Sequence, residues 1–174
     1  MAKKAIVMGA TSGIGMEVAK LLAAKGWQVG IAGRRIERLQ ALILQSGITC
    51  YQQIDVTSPD APAQLQELID KLGGMDLYFH SSGIGWQNNT LDIEKELKTV
   101  ETNGLGFTRM VDTAFNWFAT HHQNNSKARI ACITSIAGTK GLGAAPAYSA
   151  TKPIPSSTFR LLYILRRCLK AGWL

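Results

Sequence analysis

Near the start of the chain a glycine cluster, Gly9-Ala10-Thr11-Ser12-Gly13-Ile14-Gly15, stands between a short apolar run, Ala5 to Gly9, and a stretch with helical apolar spacing at Ile14, Val18, Leu21 and Leu22. A strand that turns through glycines directly into a helix is the opening of a βα unit, which commits the chain to α/β architecture. Gly9 suits the tight turn, Gly13 lets backbone approach a pyrophosphate, and Gly15 permits close packing of helix on strand. The helix start at Thr11, Ser12, Gly13 and Ile14 would offer unpaired N–H groups and a positive dipole end to phosphates. The pattern is not G-x-x-x-x-G-K-[ST], which disfavours a nucleoside-triphosphate P-loop.

Strand-like runs then alternate with helix-length amphipathic segments, the pattern of a doubly wound parallel sheet. The expected strands are Ala5 to Gly9, Trp27 to Ala32, Cys50 to Ile54, Leu77 to His80 and Arg129 to Thr134. The expected helices are Gly13 to Gly26, Arg35 to Gln45 ending near Gly47, Ser58 to Leu72, and a long one from Thr102 to His121. Ser58 is the expected N-cap of the third helix, with Pro59 in its first turn. The predicted fold is a Rossmann-like sheet of strand order 3-2-1-4-5, one domain over 1–152 with a basic tail, 153–174, belonging to it.

Composition narrows the function classes. The chain has 174 residues, 46% hydrophobic and 18% charged, enough to bury the core of one domain. The N-terminal apolar run is too short for a signal peptide and no run approaches a membrane span, so a cytoplasmic protein with no membrane partner is expected. Cys50, Cys132 and Cys168 are odd in number and widely spaced, which predicts reduced, mostly buried thiols and no metal site. His121-His122 is expected in an exposed loop with Gln123-Asn124-Asn125-Ser126, and Asp76 as a structural cap ahead of the fourth strand. A net charge of +7 raises nucleic-acid binding as an alternative. The excess is spread over several C-terminal elements without interleaved aromatics, so no nucleic acid is expected, and a basic binder of nucleic acid or membrane surfaces is the lesser reading.

Two constellations point to chemistry. At the end of the second strand, Gly33 occupies the position where an acidic side chain would hold a ribose 2′-hydroxyl, and Arg34-Arg35 follows. A carboxylate would repel a 2′-phosphate while guanidinium groups pair with it, which favours NADP(H) over NAD(H). The plain alternative is a pair of solvated arginines opening a helix. Further on, Tyr148 and Lys152 are four residues apart in Tyr148-Ser149-Ala150-Thr151-Lys152. On a helix they share a face, and an ammonium beside a phenol favours phenolate, making a usable general acid/base. Ser135, thirteen residues before Tyr148 and just past the fifth strand, offers a hydroxyl to a substrate oxygen.

The glycine turn, Ser135 and Tyr148-x-x-x-Lys152 in this order resemble the short-chain dehydrogenase/reductase family, whose members move hydride between a nicotinamide and an alcohol or carbonyl. The resemblance implies further roles. Asp55-Val56 matches the family's adenine-contacting pair, and Asn103 the member that organises a water-mediated relay to the lysine, completing a catalytic set of Asn103, Ser135, Tyr148 and Lys152. His80-Ser81-Ser82-Gly83 stands where the family has Asn-Asn-Ala-Gly, so Ser82 and Gly83 would pass the cofactor by backbone while the asparagine contacts are replaced. Tyr148 and Lys152 would also touch the cofactor. A small alcohol or carbonyl substrate is implied, as is a homodimer or homotetramer built on the long helix and the Tyr148/Lys152 helix.

The resemblance runs from residue 1 to about Lys152. Pro153 and Pro155 conflict with an uninterrupted helix and bias Lys152 away from helical angles. The sixth and seventh strands of the family do not follow, which suggests a frameshift or premature stop that would leave strand five as an exposed edge, or a non-catalytic nucleotide-binding remnant. The residues from Ser156 onward read as a basic amphipathic helix.

Overall fold

The computed structural model describes residues 2–121 and 128–158. Cys168 and most of the tail helix expected from Ser156 lie outside the described residues. Five strands, β1 (Lys4–Met8), β2 (Gln28–Gly33), β3 (Cys50–Gln53), β4 (Leu77–His80) and β5 (Arg129–Cys132), form one parallel sheet in the order β3-β2-β1-β4-β5. This is the Rossmann-like doubly wound fold and strand order expected from the sequence.

The chain divides into two units, residues 1–83 with 105–133, and residues 84–104 with 134–174. The first holds the sheet, with α1 (Gly13–Ala24), α2 (Ile36–Ser46), α3 (Ala61–Leu72) and α5 (Phe107–His121). Side chains alternate across β1 and β2, so Val7, Val29 and Ile31 pack with Ala19 of α1 and with Leu39 and Leu42 of α2. On the opposite face Gly30, paired with Ile6, leaves room for Leu68 of α3, whose Cδ1 lies 3.2 Å from where a Cβ would be. Burial of this unbroken apolar layer, at about 25 cal/mol per Å², is the main term holding the unit together. Asp76 is a structural cap as expected, its carboxylate accepting from Lys4 N at 2.8 Å.

Several boundaries differ from the sequence reading. Ile14 and Leu21 of α1 are exposed at 56% and 55%, whereas the small Gly15 and Ala19 face the sheet. The close approach at Gly15, where a Cβ would meet the Gly9 carbonyl, leaves no room for a side chain at that position, while Val18 and Leu22 pack against the core as expected. The third helix starts at Ala61 behind Asp60, with Pro62 rather than Pro59 in its first turn. Ser58 is not its N-cap because Asp55 Oδ1 accepts from Thr57 N (3.0 Å) and Thr57 Oγ1 (2.8 Å), and successive turns at Ser58 and Ala61 delay the helix. β5 stops at Cys132, two residues early. His121 ends α5, where the long helix was expected to end, and stacks on Trp117 at 4.4 Å, while the remainder of the expected loop, His122 to Ser126, lies outside the described residues. Cys50 and Cys132 are half-buried.

The second unit holds α4 (Ile93–Val100), a 3-10 turn (Ile136–Gly138) and α6 (Pro146–Thr151). α4 was absent from the sequence reading, in which the long helix began at Thr102. Asp92 caps it by accepting from Glu94 N at 3.1 Å, and Glu94 and Glu96 in its first turn suit the helix dipole. Between α4 and α5 the chain runs through a π-helical turn, Glu101–Gly106. Among the described residues no helix is long and apolar enough to cross a membrane.

Candidate active site

Within the first unit the glycine turn is built by backbone against backbone. Gly9 has φ +86°, and a Cβ on it would lie 2.6 Å from Ser82 N and 2.8 Å from the Ser81 carbonyl carbon. A Cβ on Gly15 would likewise meet the carbonyl of Gly9 and approach Ser81 Cβ at 3.1 Å. Gly13, with φ +56°, has nothing within 4 Å of its Cβ position, so its requirement is conformational and the space beside it is open. Ser12 precedes α1 in an extended conformation, and its side chain makes no cap hydrogen bond, which leaves the first N–H groups of α1 without a side-chain acceptor.

Arg35 reaches this turn. Its Nη2 donates to Thr11 Oγ1 at 2.6 Å and to Ser12 Oγ at 2.8 Å, and its Nε donates to Thr11 Oγ1 at 3.1 Å. Desolvation there, with the charges of Arg38 and Arg34, lowers its pKa from the usual arginine value, although no arginine in a protein gives up its proton. Arg34 and Arg35 are both exposed. Gly33 is closed to a carboxylate, because a Cβ there would fall 2.7 Å from the Thr11 methyl. Asp55 is engaged with Thr57, as described above. Val56 is buried against Gly106, whose Cβ position is 2.7 Å from Val56 Cγ2. Ser82 is half-buried behind Gly9, and Gly83 is exposed.

Asn103, Ser135, Tyr148 and Lys152 all lie in the second unit. Asn103, 4% exposed, sits in the π-helical turn, a deviation from α-helix that recurs at functional sites. Its Oδ1 accepts from Ile84 N at 2.8 Å, and its Nδ2 donates to Ile84 O at 2.7 Å and Thr151 Oγ1 at 3.2 Å. Thr151 Oγ1 in turn donates to Tyr148 O at 3.1 Å. Lys152 N donates to Tyr148 O at 3.1 Å, and Lys152 Nζ stands 5.0 Å from the centroid of the Tyr148 ring. Ser135 caps the 3-10 turn, accepting from Ala137 N at 3.2 Å. That turn seats on the lysine backbone, since a Cβ on Gly138 would lie 2.8 Å from Lys152 O.

Lys152 departs from the expectation based on Pro153. Its angles, φ −73° and ψ −21°, remain right-handed helical. The turn hydrogen bond to Tyr148 holds it there. The helix does break at Lys152 and resumes over 153–158, with Pro153 at its first position, where a missing N–H costs nothing.

Two residues that the sequence reading missed also support α6. Glu96 Oε2 accepts from Ala147 N at 2.8 Å in the first turn of α6, and its Oε1 accepts from Asn88 Nδ2 at 2.5 Å. Asn88, 3% exposed, also donates to Asp92 O and accepts from Asp92 N, joining the caps of α4 and α6. Asp92 with Ile93, Leu97 and Val100 at helical spacing was the available signal for α4; nothing local marked Glu96 as a cap for a helix fifty residues away.

Comparison with known proteins assigns the family. An oxidoreductase of Myxococcus xanthus, of unassigned specificity, is 32% identical over 169 residues, covering 93% of this chain and 65% of that protein. The chain spans less than two thirds of the length of the first curated relatives it matches. An actinorhodin polyketide ketoreductase variant solved with NADPH superposes with TM-score 0.77 at 29% identity, covering 87% of this chain and 60% of that one. An alcohol dehydrogenase from Thermococcus sibiricus, solved with 5-hydroxy-NADP, shares the fold at TM-score 0.83 and 22% identity, covering 94% of this chain and 71% of that one. Residues 3–157, nearly all of the described chain, match the family described as short chain dehydrogenase, and the chain belongs to that family of oxidoreductases.

Proposed function

We propose that this chain carries the cofactor turn and proton-transfer groups of an NADP(H)-dependent reductase that interconverts a ketone and a secondary alcohol. The observation that carries the reading is the direct linkage of Asn103, Thr151, Tyr148 and Lys152 in one unit, with the Ser135 turn seated on the lysine backbone. The dinucleotide fits the first unit: its pyrophosphate would face the open side of Gly13 and the uncapped start of α1, with the arginine pair near the adenosine ribose. Arg34 and Arg35 would hold a 2′-phosphate, since Gly33 leaves no place for the carboxylate that selects a free 2′-hydroxyl. Asp55, Val56, Ser82 and Gly83 would line the remainder of that site.

When bound, the nicotinamide supplies hydride transfer to or from the substrate carbon. Tyr148 gives the proton to the forming alkoxide, or takes it in the reverse direction. Lys152 places its ammonium beside the ring, Nζ 5.0 Å from the centroid, next to the group that exchanges the proton. Ser135 holds the substrate oxygen, and Asn103 keeps Ile84 and Thr151 in place around the tyrosine. A ketoreductase variant solved with NADPH, 29% identical to this chain, supports a nicotinamide cofactor by kinship.

The test is titration of the chain with NADPH and NADH by ligand fluorescence, followed by turnover of a ketone panel. Micromolar NADPH binding, at least about tenfold weakened by Arg34→Asp together with Arg35→Asp, is expected. Tyr148→Phe should abolish turnover and keep binding. Binding without turnover in the unsubstituted chain would leave a nucleotide-binding protein only, and failure to bind either nucleotide would overturn the reading.

A further inference from the structure

We propose that Gly85 is a positioning residue whose missing side chain sets where the Tyr148 ring lies. This rests on the acid/base role given to Tyr148 above. Gly85 is exposed and its φ is outside the left-handed region, so backbone conformation does not require glycine. A Cβ built there would fall on Tyr148 Cδ2, with Cε2 and Cγ both at 3.0 Å. Each of the three nearest atoms belongs to that one ring. Gly9 and Gly15, by contrast, are crowded by backbone, and Gly141 and Gly143 in the same unit as Gly85 meet nothing within 4 Å.

The loop cannot simply withdraw from the ring. Immediately before Gly85, both backbone groups of Ile84 are held by Asn103. Three residues after it, Asn88 N donates to Ala144 O at 2.7 Å and the Asn88 side chain is held by Glu96 and Asp92. With the loop pinned on both sides, and with Cγ on the ring's own axis among the crowded atoms, an added methyl must be accommodated by swinging the Tyr148 side chain about its Cα–Cβ bond. Such a rotation pivots at the Cβ and moves the hydroxyl farthest, and it also changes the approach of Lys152 Nζ, now 5.0 Å from the ring centroid. A displacement of about 1 Å at a reacting group is enough to cost about 100-fold in rate.

The experiment is a double-variant cycle in the full chain with an NMR readout. Gly85→Ala should lower Tm by roughly 3–10 °C in the presence of the ring and by nothing measurable in a Tyr148→Ala background. In chain labelled at tyrosine Cε with carbon-13, the signal that disappears in Tyr148→Phe should shift in Gly85→Ala, while those of Tyr51 and Tyr78 stay; Gly143→Ala should move none of them. Turnover in Gly85→Ala should fall about 100-fold with NADPH Kd unchanged. An equal Tm loss in both backgrounds, or an unmoved Tyr148 signal, overturns the proposal. If Gly85→Ala does not fold, folding of the Gly85→Ala/Tyr148→Ala chain supports it and failure of both overturns it. A shifted signal in a chain without turnover supports the seat and overturns the acid/base reading instead.

Discussion

Gly9 and Asn103 each hold a short backbone segment beside a functional group, but by opposite means. At Gly9 the contact is main chain on main chain, with Ser81 and Ser82 lying where a side chain would be, at the end of a strand buried from Ala5 to Met8. Around Asn103 the segments 84–92, 101–104 and 145–152 are joined by side chains: the Asn103 amide, the Asn88 amide and the Glu96 carboxylate. Gly9 and Gly15 are therefore intolerant of an added Cβ, whereas the tyrosine region depends on a few particular polar groups. Backbone packing selects for size; side-chain hydrogen bonding selects for identity.

Substitutions can break this contrast, and the largest effect belongs to the turn. Gly9→Ala forces a β-carbon into both a left-handed conformation and the Ser82 amide, and should cost roughly 2–4 kcal/mol in urea unfolding. Nucleotide binding should be lost with it. Asn103→Ala leaves the Ile84 N–H and C=O without their partner in a partly buried site, a loss of about 1–3 kcal/mol. Hydrogen exchange should accelerate at Ile84 while the β1 amides stay protected; equal acceleration in both would erase the contrast.

A smaller effect is expected from Glu96→Ala, which removes the acceptor for the first turn of α6 and should cost about 1 kcal/mol in thermal unfolding. Glu96→Gln, which keeps an acceptor oxygen, should recover part of it. The smallest effect is a titration. Burial pushes the Cys50 thiol above its usual range, against a lesser opposing influence from Lys71. Since the raised group binds its proton more tightly in the folded chain, its contribution to stability is complete at neutral pH and declines only as pH rises through the alkaline range where the unfolded thiol ionises. Alkylation of Cys50 by iodoacetamide, followed by peptide mass spectrometry, should be slower than that of a free thiol at pH 8 and should accelerate in urea.

Much of the first unit was legible in the sequence because its determinants are local and periodic. The glycine turn, the alternation of apolar runs with helical spacing, and Gly47 and Gly73 in left-handed conformations just past α2 and α3 mark elements by nearest-neighbour physics. The same reading failed where competing short-range hydrogen bonds intervened, as at Asp55, Thr57 and Ser58. It also failed at Ile14 and Leu21 of α1, which are exposed, while Val18 and Leu22 pack on the core as their spacing implied.

The amino-acid order by itself determined the α/β class, because apolar periodicity and the glycine turn act over a few residues, while the strand order followed from the fold those short motifs resemble. Tertiary structure alone decided that Asn103 grips Ile84, that Glu96 caps a helix fifty residues away, and that Gly85 is vacant for a tyrosine ring sixty-three residues beyond it. Contacts between residues so far apart in the chain depend on how packed elements meet, which no local pattern encodes.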